Sequence, residues 1–276
     1  MFLKPKDLSL TEEEAKEAIL LLQECYRYKK MENRLYEEEN YIPENIITLY
    51  LYYIEQNNYQ AMVQNYKMQY IENESQVEPG VTTEERNGLS HIYDYISNYD
   101  FAHKNINIFV DSLKIHCLLY SACPHPEFGG KLREAPVRLQ GSSHEVISAD
   151  EARSLFQSYI TKKIDFDENN ALEYIKEVIH ITTDLIKIQP FRDGNKRTFR
   201  ALLNLMIGKI GLPPVYINVN EREVYKNELM KAIETGDYSG ITKFYYYKIC
   251  DAIIDLNLMQ SLKITNEKES SFKMIV

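Results

Sequence analysis

The apolar residues of the chain recur every three or four positions in most segments, which is the spacing of helices that bury one face. Two adjacent segments show this pattern most clearly. The first carries Leu172, Ile175, Ile179, Thr182 and Ile186, and the second carries Phe199, Leu202, Leu203, Met206 and Ile210. Because Pro190 ends the first helix and Gly194 precedes the second, the sequence predicts a sharp connection between two buried helices.

The same spacing predicts helices along the rest of the chain. One helix begins at a capping-box pattern of Thr11 and Glu14, and a second begins at Pro43. Further helices are predicted over about 59–71, 89–96, 108–119, 221–235 and 241–256. Residues 73–88 are predicted as a loop because they contain Pro79-Gly80. We therefore expect an N-terminal helical region over 1–88, a core domain over 89–256, and a mobile tail over 257–276 that is rich in Lys, Glu and Ser.

One segment alternates between apolar and polar residues, as a strand does. The alternation covers Val137, Arg138, Leu139 and Gln140, then Gly141 begins a turn, and residues 144–147 can return as a second arm. The sequence therefore predicts a β-hairpin. Its exposed edge could pair with an extended segment of another protein, and the alternative is a surface hairpin without a binding role.

Composition narrows the class of protein. With 276 residues, 44% of them hydrophobic, the chain can bury a globular core. Its net charge of −9 argues against nonspecific binding to nucleic acid or to an anionic membrane surface, because both need basic patches. Its four cysteines lack CxxC spacing, which favours a reducing compartment. Since no signal peptide or membrane-spanning segment is evident, we expect a cytoplasmic protein, and export by a secretion system stays open.

The connection between the two central helices carries polar chemistry. The second helix begins with unpaired backbone N–H groups, and Lys196, Arg197 and Arg200 add positive charge beside them. This arrangement is typical of a phosphate-binding site. Asp193 could hold Mg²⁺ through one carboxylate oxygen while phosphates and water complete the octahedron. The alternative is a capped helix corner that binds no ligand.

This connection resembles the signature loop of Fic (Fido) domains, whose pattern is His-Pro-Phe-x-Asp/Glu-Gly-Asn-Gly-Arg-x-x-Arg. The positions that agree are Pro190, Phe191, Asp193, Gly194, Asn195, Arg197 and Arg200. Lys196 stands where most members have Gly, although the Doc branch also has Lys there. Gln189 stands where the family has its catalytic His. The likeness covers about residues 89–250.

The resemblance implies a mostly α-helical Fic-type domain with a β-hairpin flap, here with an N-terminal helical extension. It implies transfer of AMP from ATP, with Mg²⁺, to a Ser, Thr or Tyr hydroxyl of a target protein or of the chain itself, and a homo-oligomer is compatible with it. By position, Gln189, Asp193, Asn195 and Arg197 would form the catalytic set. Asp193 would hold Mg²⁺, and the nucleotide phosphates would contact Gly194, Asn195, Lys196, Arg197 and Arg200.

Gln189 affects the expected activity most. The chemistry needs a base that takes the proton of the attacking hydroxyl, and a primary amide can orient that hydroxyl but has no accessible protonation change. General-base catalysis contributes roughly 10²–10⁴-fold, so we expect weak transfer or none. Two alternatives stay open: a non-catalytic nucleotide-binding regulator, which Gln189 suggests, and Doc-like phosphorylation, which Lys196 suggests.

Two further features are implied by the same resemblance. Some Fic proteins carry an inhibitory helix with the pattern Ser/Thr-x-x-x-Glu-Gly/Asn, whose Glu pairs with the last Arg of the signature. Glu72-Asn73 fits the end of this pattern and Arg200 fits the partner, whereas Met68 does not fit. A solvated Glu at a helix end is the alternative. The predicted hairpin, Val137 to Gly141, would be the flap that clamps the target segment.

Overall fold

The computed structural model describes residues 11–31, 43–53, 63–64, 66–78, 80–139, 142–164 and 170–273. These ranges contain ten α-helices: α1 (Glu12–Met31), α2 (Pro43–Tyr53), α3 (Lys67–Val77), α4 (Thr83–Ser97), α5 (Ile108–Tyr120), α6 (Ala149–Ser158), α7 (Ala171–Ile188), α8 (Asn195–Gly208), α9 (Arg222–Thr235) and α10 (Ser239–Lys273). The predicted mostly α-helical class is confirmed. Over these ranges, no helix combines the length and the apolar character that crossing a membrane requires.

The first two helices begin where the sequence predicted. The Glu14 carboxylate accepts a hydrogen bond from the Thr11 N–H at 2.8 Å, and the Glu14 N–H donates to the Thr11 hydroxyl at 3.3 Å, so the capping box is present. Pro43 is the first residue of α2, where its missing N–H costs nothing. At the other end of the chain, α10 reaches Lys273 instead of ending at Leu256.

The segment between α2 and α4 corrects the sequence prediction. Helix α3 runs to Val77, six residues past the predicted end at Ile71. The predicted loop over 73–88 also contains the start of α4, where the Thr82 hydroxyl accepts from the Glu85 N–H and the Glu85 carboxylate accepts from the Thr82 N–H. The Ser/Thr-x-x-Glu pattern of a capping box was therefore present in the sequence but was masked by the nearby Pro79-Gly80.

The centre of the molecule is the pair of helices that flank the signature loop. Helix α8 packs against α7, α5 and α4, and all its residues except Lys196 are buried. Three phenylalanine rings that are fully buried, Phe156, Phe191 and Phe199, contact one another at centroid distances of 5.7–6.2 Å. The loop is therefore fixed to the core by Phe191, and it presents its polar residues from a buried platform.

The predicted β-hairpin is not seen as strands in the described residues. Residues 133–139 and 142–148 are assigned to no strand, and Gln140 and Gly141 lie outside the described residues. The one β-bridge in the described part of the chain joins Leu132 to Phe191. Instead of a ladder of backbone hydrogen bonds, the side chain of Arg133 holds the two ends of this segment together by donating to the carbonyls of Ala135 and Ile147. We call residues 134–148 the flap segment.

Candidate functional site

The signature loop turns sharply at two left-handed residues. Helix α7 ends at Ile188, and Gln189 follows with φ 48° and ψ 64°. It is the one residue other than glycine with positive φ in the described part of the chain, and such a conformation costs on the order of 1 kcal/mol. Gly194, with φ 75°, precedes α8. A side chain at that position would also meet Leu119, whose Cδ2 lies 2.9 Å from the place of a Cβ.

Asn195 closes the loop with its side chain. Its Oδ1 accepts from the Phe191 N–H at 3.0 Å, and its Nδ2 donates to the Phe191 carbonyl at 2.8 Å and to the Gln189 Oε1 at 3.0 Å. Because Asn195 is only 3% exposed, these hydrogen bonds form away from water and keep most of their strength. The Asn195 side chain, which the sequence assigned to phosphate binding, therefore holds the loop instead. The backbone N–H of Asn195 is the first of α8.

Gln189 is held at both ends of its amide. Its Nε2 donates to the Ile186 carbonyl at 2.5 Å, and its Oε1 accepts from Asn195. The residue is buried, so rotating the amide toward a bound hydroxyl would break two hydrogen bonds inside the protein. The position that the resemblance assigns to a catalytic His is thus filled by a side chain that does not titrate and whose amide is held by two hydrogen bonds.

His116 on α5 holds the next part of the loop from behind. The ring stacks on Phe191 with centroids 3.9 Å apart. The Gly130 N–H donates to Nδ1 at 2.7 Å, so Nε2 carries the proton and donates to the Asp193 carbonyl at 3.0 Å. Burial lowers the pKa of His116 to about 4, and the ring is therefore neutral at physiological pH.

A cavity of about 220 Å³ lies in front of the loop. It is lined by Glu78, Gly80, Val81, Glu85, Arg138, Leu139, Gln189, Arg192, Asp193, Gly194, Asn195, Lys196 and Arg197. The fold thus brings the signature loop, the turn after α3, the start of α4 and the flap segment to one place. Of the predicted flap residues, Arg138 and Leu139 line this cavity, whereas Val137 faces a separate groove within the flap segment.

Each of the three cations on α8 has a carboxylate partner. Lys196 Nζ lies 2.8 Å from Glu78 Oε2, and Arg197 Nη1 lies 2.6 Å from Glu85 Oε1. Arg200, which is 3% exposed, donates from Nε to Glu74 at 2.8 Å and from Nη1 to Glu78 at 3.1 Å. We call Glu74, Glu78 and Glu85 the carboxylate clamp.

The clamp holds strongly coupled charges. Burial by itself would raise the pKa of Glu78, but the charges of Arg200 and Lys196 and their hydrogen bonds lower it to about 2. Burial likewise opposes the charge of Arg200, yet the neighbouring Glu74 raises the pKa of Arg200 well above its usual value. Ions of this kind compensate one another as long as all of them are present, so removal of one leaves a buried charge without a partner.

The predicted pairing of Glu72 with Arg200 is wrong. Glu72 is exposed and pairs with Arg86 on α4, whereas Glu74 is 1% exposed and bonds Arg200. The reason is the helical register, because α3 buries Tyr70, Ile71, Glu74 and Val77 on one side and turns Glu72 outward. The sequence signal for Glu74 was its place in this buried stripe. That signal could be used only if the helix was predicted to continue past Ile71 to Val77.

Asp193 is the exposed acid of the loop. Its side chain is 74% exposed. Oδ1 accepts from the Gly194 N–H at 2.7 Å, and Oδ2 accepts from the Tyr120 hydroxyl at 3.3 Å and lies 3.6 Å from Arg197 Nη2. The described residues contain no group of three or more His, Cys, Asp and Glu side chains placed to hold a metal ion on their own. A single open carboxylate beside an anion site does fit Mg²⁺, which keeps several waters and takes other ligands from substrate phosphates.

Comparison with known proteins finds similarity to one protein family over the part of the chain that contains this site. Residues 109–207 match the Fic/DOC family. Protein adenylyltransferase Fic from Aedes aegypti is 31% identical over 161 residues, which cover 57% of this chain and 30% of that protein. Its counterpart from Drosophila grimshawi is 30% identical over 119 residues, which cover 43% of this chain and 24% of that protein. The chain thus spans about a quarter to a third of the length of these relatives.

Solved structures agree on the fold. Fic-1 from C. elegans superposes with a TM-score of 0.53 at 16% identity, covering 86% of each chain. A Fic domain containing signaling protein from Bacteroides thetaiotaomicron superposes with a TM-score of 0.56 at 12% identity, covering 75% of this chain and 92% of that one. Residues 109–207 thus match the Fic/DOC family, and the solved structures show that the chain shares the fold of Fic domains.

Proposed function

We propose that the chain binds a nucleoside triphosphate in the cavity in front of α8 and acts as a Fic-type protein adenylyltransferase. It would transfer AMP from ATP to a hydroxyl side chain of a target protein or of the chain itself. The observation that carries the proposal is the convergence of three cations, Lys196, Arg197 and Arg200, at the first two turns of one helix. A helix N-terminus with fixed cations is suited to bind a polyphosphate. The curated relatives named protein adenylyltransferase support the same activity.

In this proposal the loop supplies phosphate contacts and the open carboxylate of Asp193 would hold Mg²⁺. The metal would neutralise phosphate charge, and the other steps fall to residues of this chain. The N–H groups at the start of α8 and the guanidinium of Arg197 would bind the phosphates, and the flap segment would hold the target hydroxyl near Gln189.

In this proposal the carboxylate clamp opposes the binding of a polyphosphate. Phosphate oxygens and the clamp carboxylates would compete for the same guanidinium groups, because each anion can accept two parallel hydrogen bonds from one guanidinium. We propose that Glu74 and Glu78 take the inhibitory role that the sequence assigned to Glu72. ATP would bind tightly only when α3 shifts or when the clamp is weakened.

Gln189 sets the expected rate. Since both ends of its amide are bonded to the protein, we expect neither proton transfer nor orientation of the hydroxyl from this side chain. Replacing it with His would supply a general base, and such a base contributes roughly 10²–10⁴-fold to the rate.

The first experiment is calorimetric titration of ATP with Mg²⁺ into the full chain and into its Glu74→Gly, Arg200→Ala and doubly substituted variants. We expect weak binding to the unchanged chain, tighter binding to Glu74→Gly, and no binding once Arg200 is removed. Equal affinity in all four proteins would disprove the nucleotide site.

The second experiment tests transfer. The Gln189→His, Glu74→Gly chain is incubated with ATP labelled on the α- or the γ-phosphate. Label retained from the α-phosphate on protein supports AMP transfer, and label retained only from the γ-phosphate would show phosphorylation instead.

A second candidate function is favoured by one observation. The amide of Gln189 is fixed by hydrogen bonds to Ile186 and Asn195, which suits a regulator that binds ATP without transferring it. ATP binding by the Glu74→Gly chain, together with no transfer even after Gln189→His, would favour this function.

A further inference from the structure

Arg133 joins the signature loop to the flap segment through a single buried guanidinium. Its Nε donates to the Gln189 carbonyl at 2.6 Å. Its Nη2 donates to the carbonyls of Ile147 at 2.6 Å and Ser148 at 3.2 Å, and its Nη1 donates to the Ala135 carbonyl at 3.2 Å. Gln189 lies in the signature loop, whereas Ala135, Ile147 and Ser148 lie at the two ends of the flap segment.

The backbone beside Arg133 adds two contacts to the same loop. The Arg133 N–H donates to the Pro190 carbonyl at 3.0 Å, and Leu132 forms a β-bridge with Phe191. Residues 132 and 133 therefore run along the loop as a short partner strand would, so the loop backbone has a fixed reference next to it.

The charge of Arg133 is unusual for its surroundings. The residue is 3% exposed, and burial lowers the pKa of its guanidinium. Among the described residues no carboxylate lies within 4 Å of it, and every hydrogen bond that its guanidinium donates there goes to a backbone carbonyl. A buried cation without a carboxylate is costly, and a neutral side chain would serve a purely structural role at lower cost. Only the planar fork of arginine reaches carbonyls on opposite sides at once.

We propose that Arg133 is a positioning residue for transfer: it fixes the distance between the flap segment, where the target would bind, and position 189, where its hydroxyl would react. This inference rests on the proposed function. It assigns to Arg133 no contact with nucleotide, because Lys196 and Arg197 line the cavity in front of the loop and Arg133 is not among the residues that line it. Loss of Arg133 therefore separates target positioning from nucleotide binding.

The test that needs no activity is hydrogen exchange of the full chain. Arg133→Gln and Arg133→Lys are compared with Arg153→Gln, a matched control because Arg153 is a partly exposed arginine on α6 with a long ion pair of 3.9 Å to Asp150. We expect exchange to rise about tenfold or more in peptides covering 134–148 and 186–194 together, because both lose the same donor, while peptides from α8 stay unchanged. The lysine variant keeps the charge but loses the fork, so it should resemble the glutamine variant.

Three results would overturn the proposal. These are a rise in one of the two segments only, a uniform rise that includes α8, and normal exchange in the lysine variant. The first would deny the coupling, the second would make Arg133 a residue of general stability, and the third would make the charge sufficient without the fork.

The transfer arm uses the Gln189→His, Glu74→Gly chain as the parent. Adding Arg133→Gln should lower kcat/KM for a protein target about tenfold or more, because a small misplacement of reacting groups lowers rates strongly, while calorimetric ATP affinity stays within about twofold. Equal loss of ATP affinity and transfer would overturn the positioning role. If the parent transfers nothing, the proposed function fails on its own account, and the exchange experiment still decides whether Arg133 couples the two segments.

Discussion

The two ends of the signature loop are held by different kinds of contact. Within the loop, Arg133 donates to the backbone carbonyl of Gln189 at its start, and His116 donates to the backbone carbonyl of Asp193 further along. At its end, the side chains of α8 are held by the carboxylate clamp, which comes from α3, α4 and the turn between them. A phosphate can replace a carboxylate at a guanidinium, but no ligand of that kind replaces a donor to a carbonyl. The start of the loop is therefore fixed whatever is bound, and its end can switch.

The largest expected effect comes from Glu74→Gln, which acts at the switching end. Removing one member of a buried ion pair costs about 3–5 kcal/mol of unfolding free energy, since Arg200 keeps only Glu78. The same change frees Arg200 for phosphate, so calorimetry should show ATP binding at least about tenfold tighter. Chemical unfolding and calorimetry on one preparation measure both. Lower stability with unchanged ATP affinity would mean that Glu74 is structural only.

His116→Gln tests the fixed end through pH. The folded-state pKa of His116 is about 4, below the unfolded value of roughly 6.5, so the unfolded chain takes up the proton first. The stability held by the neutral ring is complete above pH 6.5 and falls by about 3 kcal/mol as the pH approaches 4. The glutamine variant should lose this dependence. Urea unfolding at pH 7, 5.5 and 4 measures it, and parallel curves for the two proteins would contradict the assignment.

Glu78→Gln sharpens the comparison at the switching end. The pKa of Glu78 is lowered to about 2, so its contribution to stability is full above the unfolded value near 4.3 and is lost as the pH falls toward 2. We expect the variant to be about 2 kcal/mol less stable at pH 6 and nearly equal to the parent at pH 2. Because Lys196 and Arg200 both gain freedom, ATP should bind more tightly, though less so than in Glu74→Gln. A stability difference that is constant over this range would reject the coupling.

The smallest expected effect is that of Glu72→Gln, the matched control for Glu74→Gln. Both residues lie on α3, but Glu72 is exposed and pairs with Arg86 at the surface. Surface ion pairs contribute about 0–1 kcal/mol, so unfolding free energy and ATP affinity should both stay near the parent values. Tighter ATP binding in this variant would restore the sequence prediction for Glu72.

The sequence predicted the parts of the fold that depend on local pattern. The apolar stripes of α7 and α8 and the proline and glycine between them located the loop, and the Thr11 cap and Pro43 located the starts of two helices. Those features are decided by residues a few positions apart, so one chain contains the whole signal.

Contacts between distant segments could not be predicted in the same way. The partners of Arg200 depend on the register of α3, and a shift of two residues along this helix exchanges a buried Glu74 for an exposed Glu72. Nothing local marks Arg133 as buried, since its neighbour Glu134 is exposed and its partners lie up to 56 residues away in the chain.

Glu85 carries two duties on its two oxygens. One accepts from the Thr82 N–H at the start of α4, and the other accepts from Arg197 at 2.6 Å. In a saturation mutagenesis experiment these duties would separate. Glutamine can still accept at the cap, so it should fold but with reduced stability because Arg197 loses its charged partner, whereas aspartate is too short to reach both partners and should fail selection for folding. If a library is scored once for expression and once for ATP binding, the residues tolerated at position 85 should therefore differ between the two scores. Glutamate meets both demands with a single side chain.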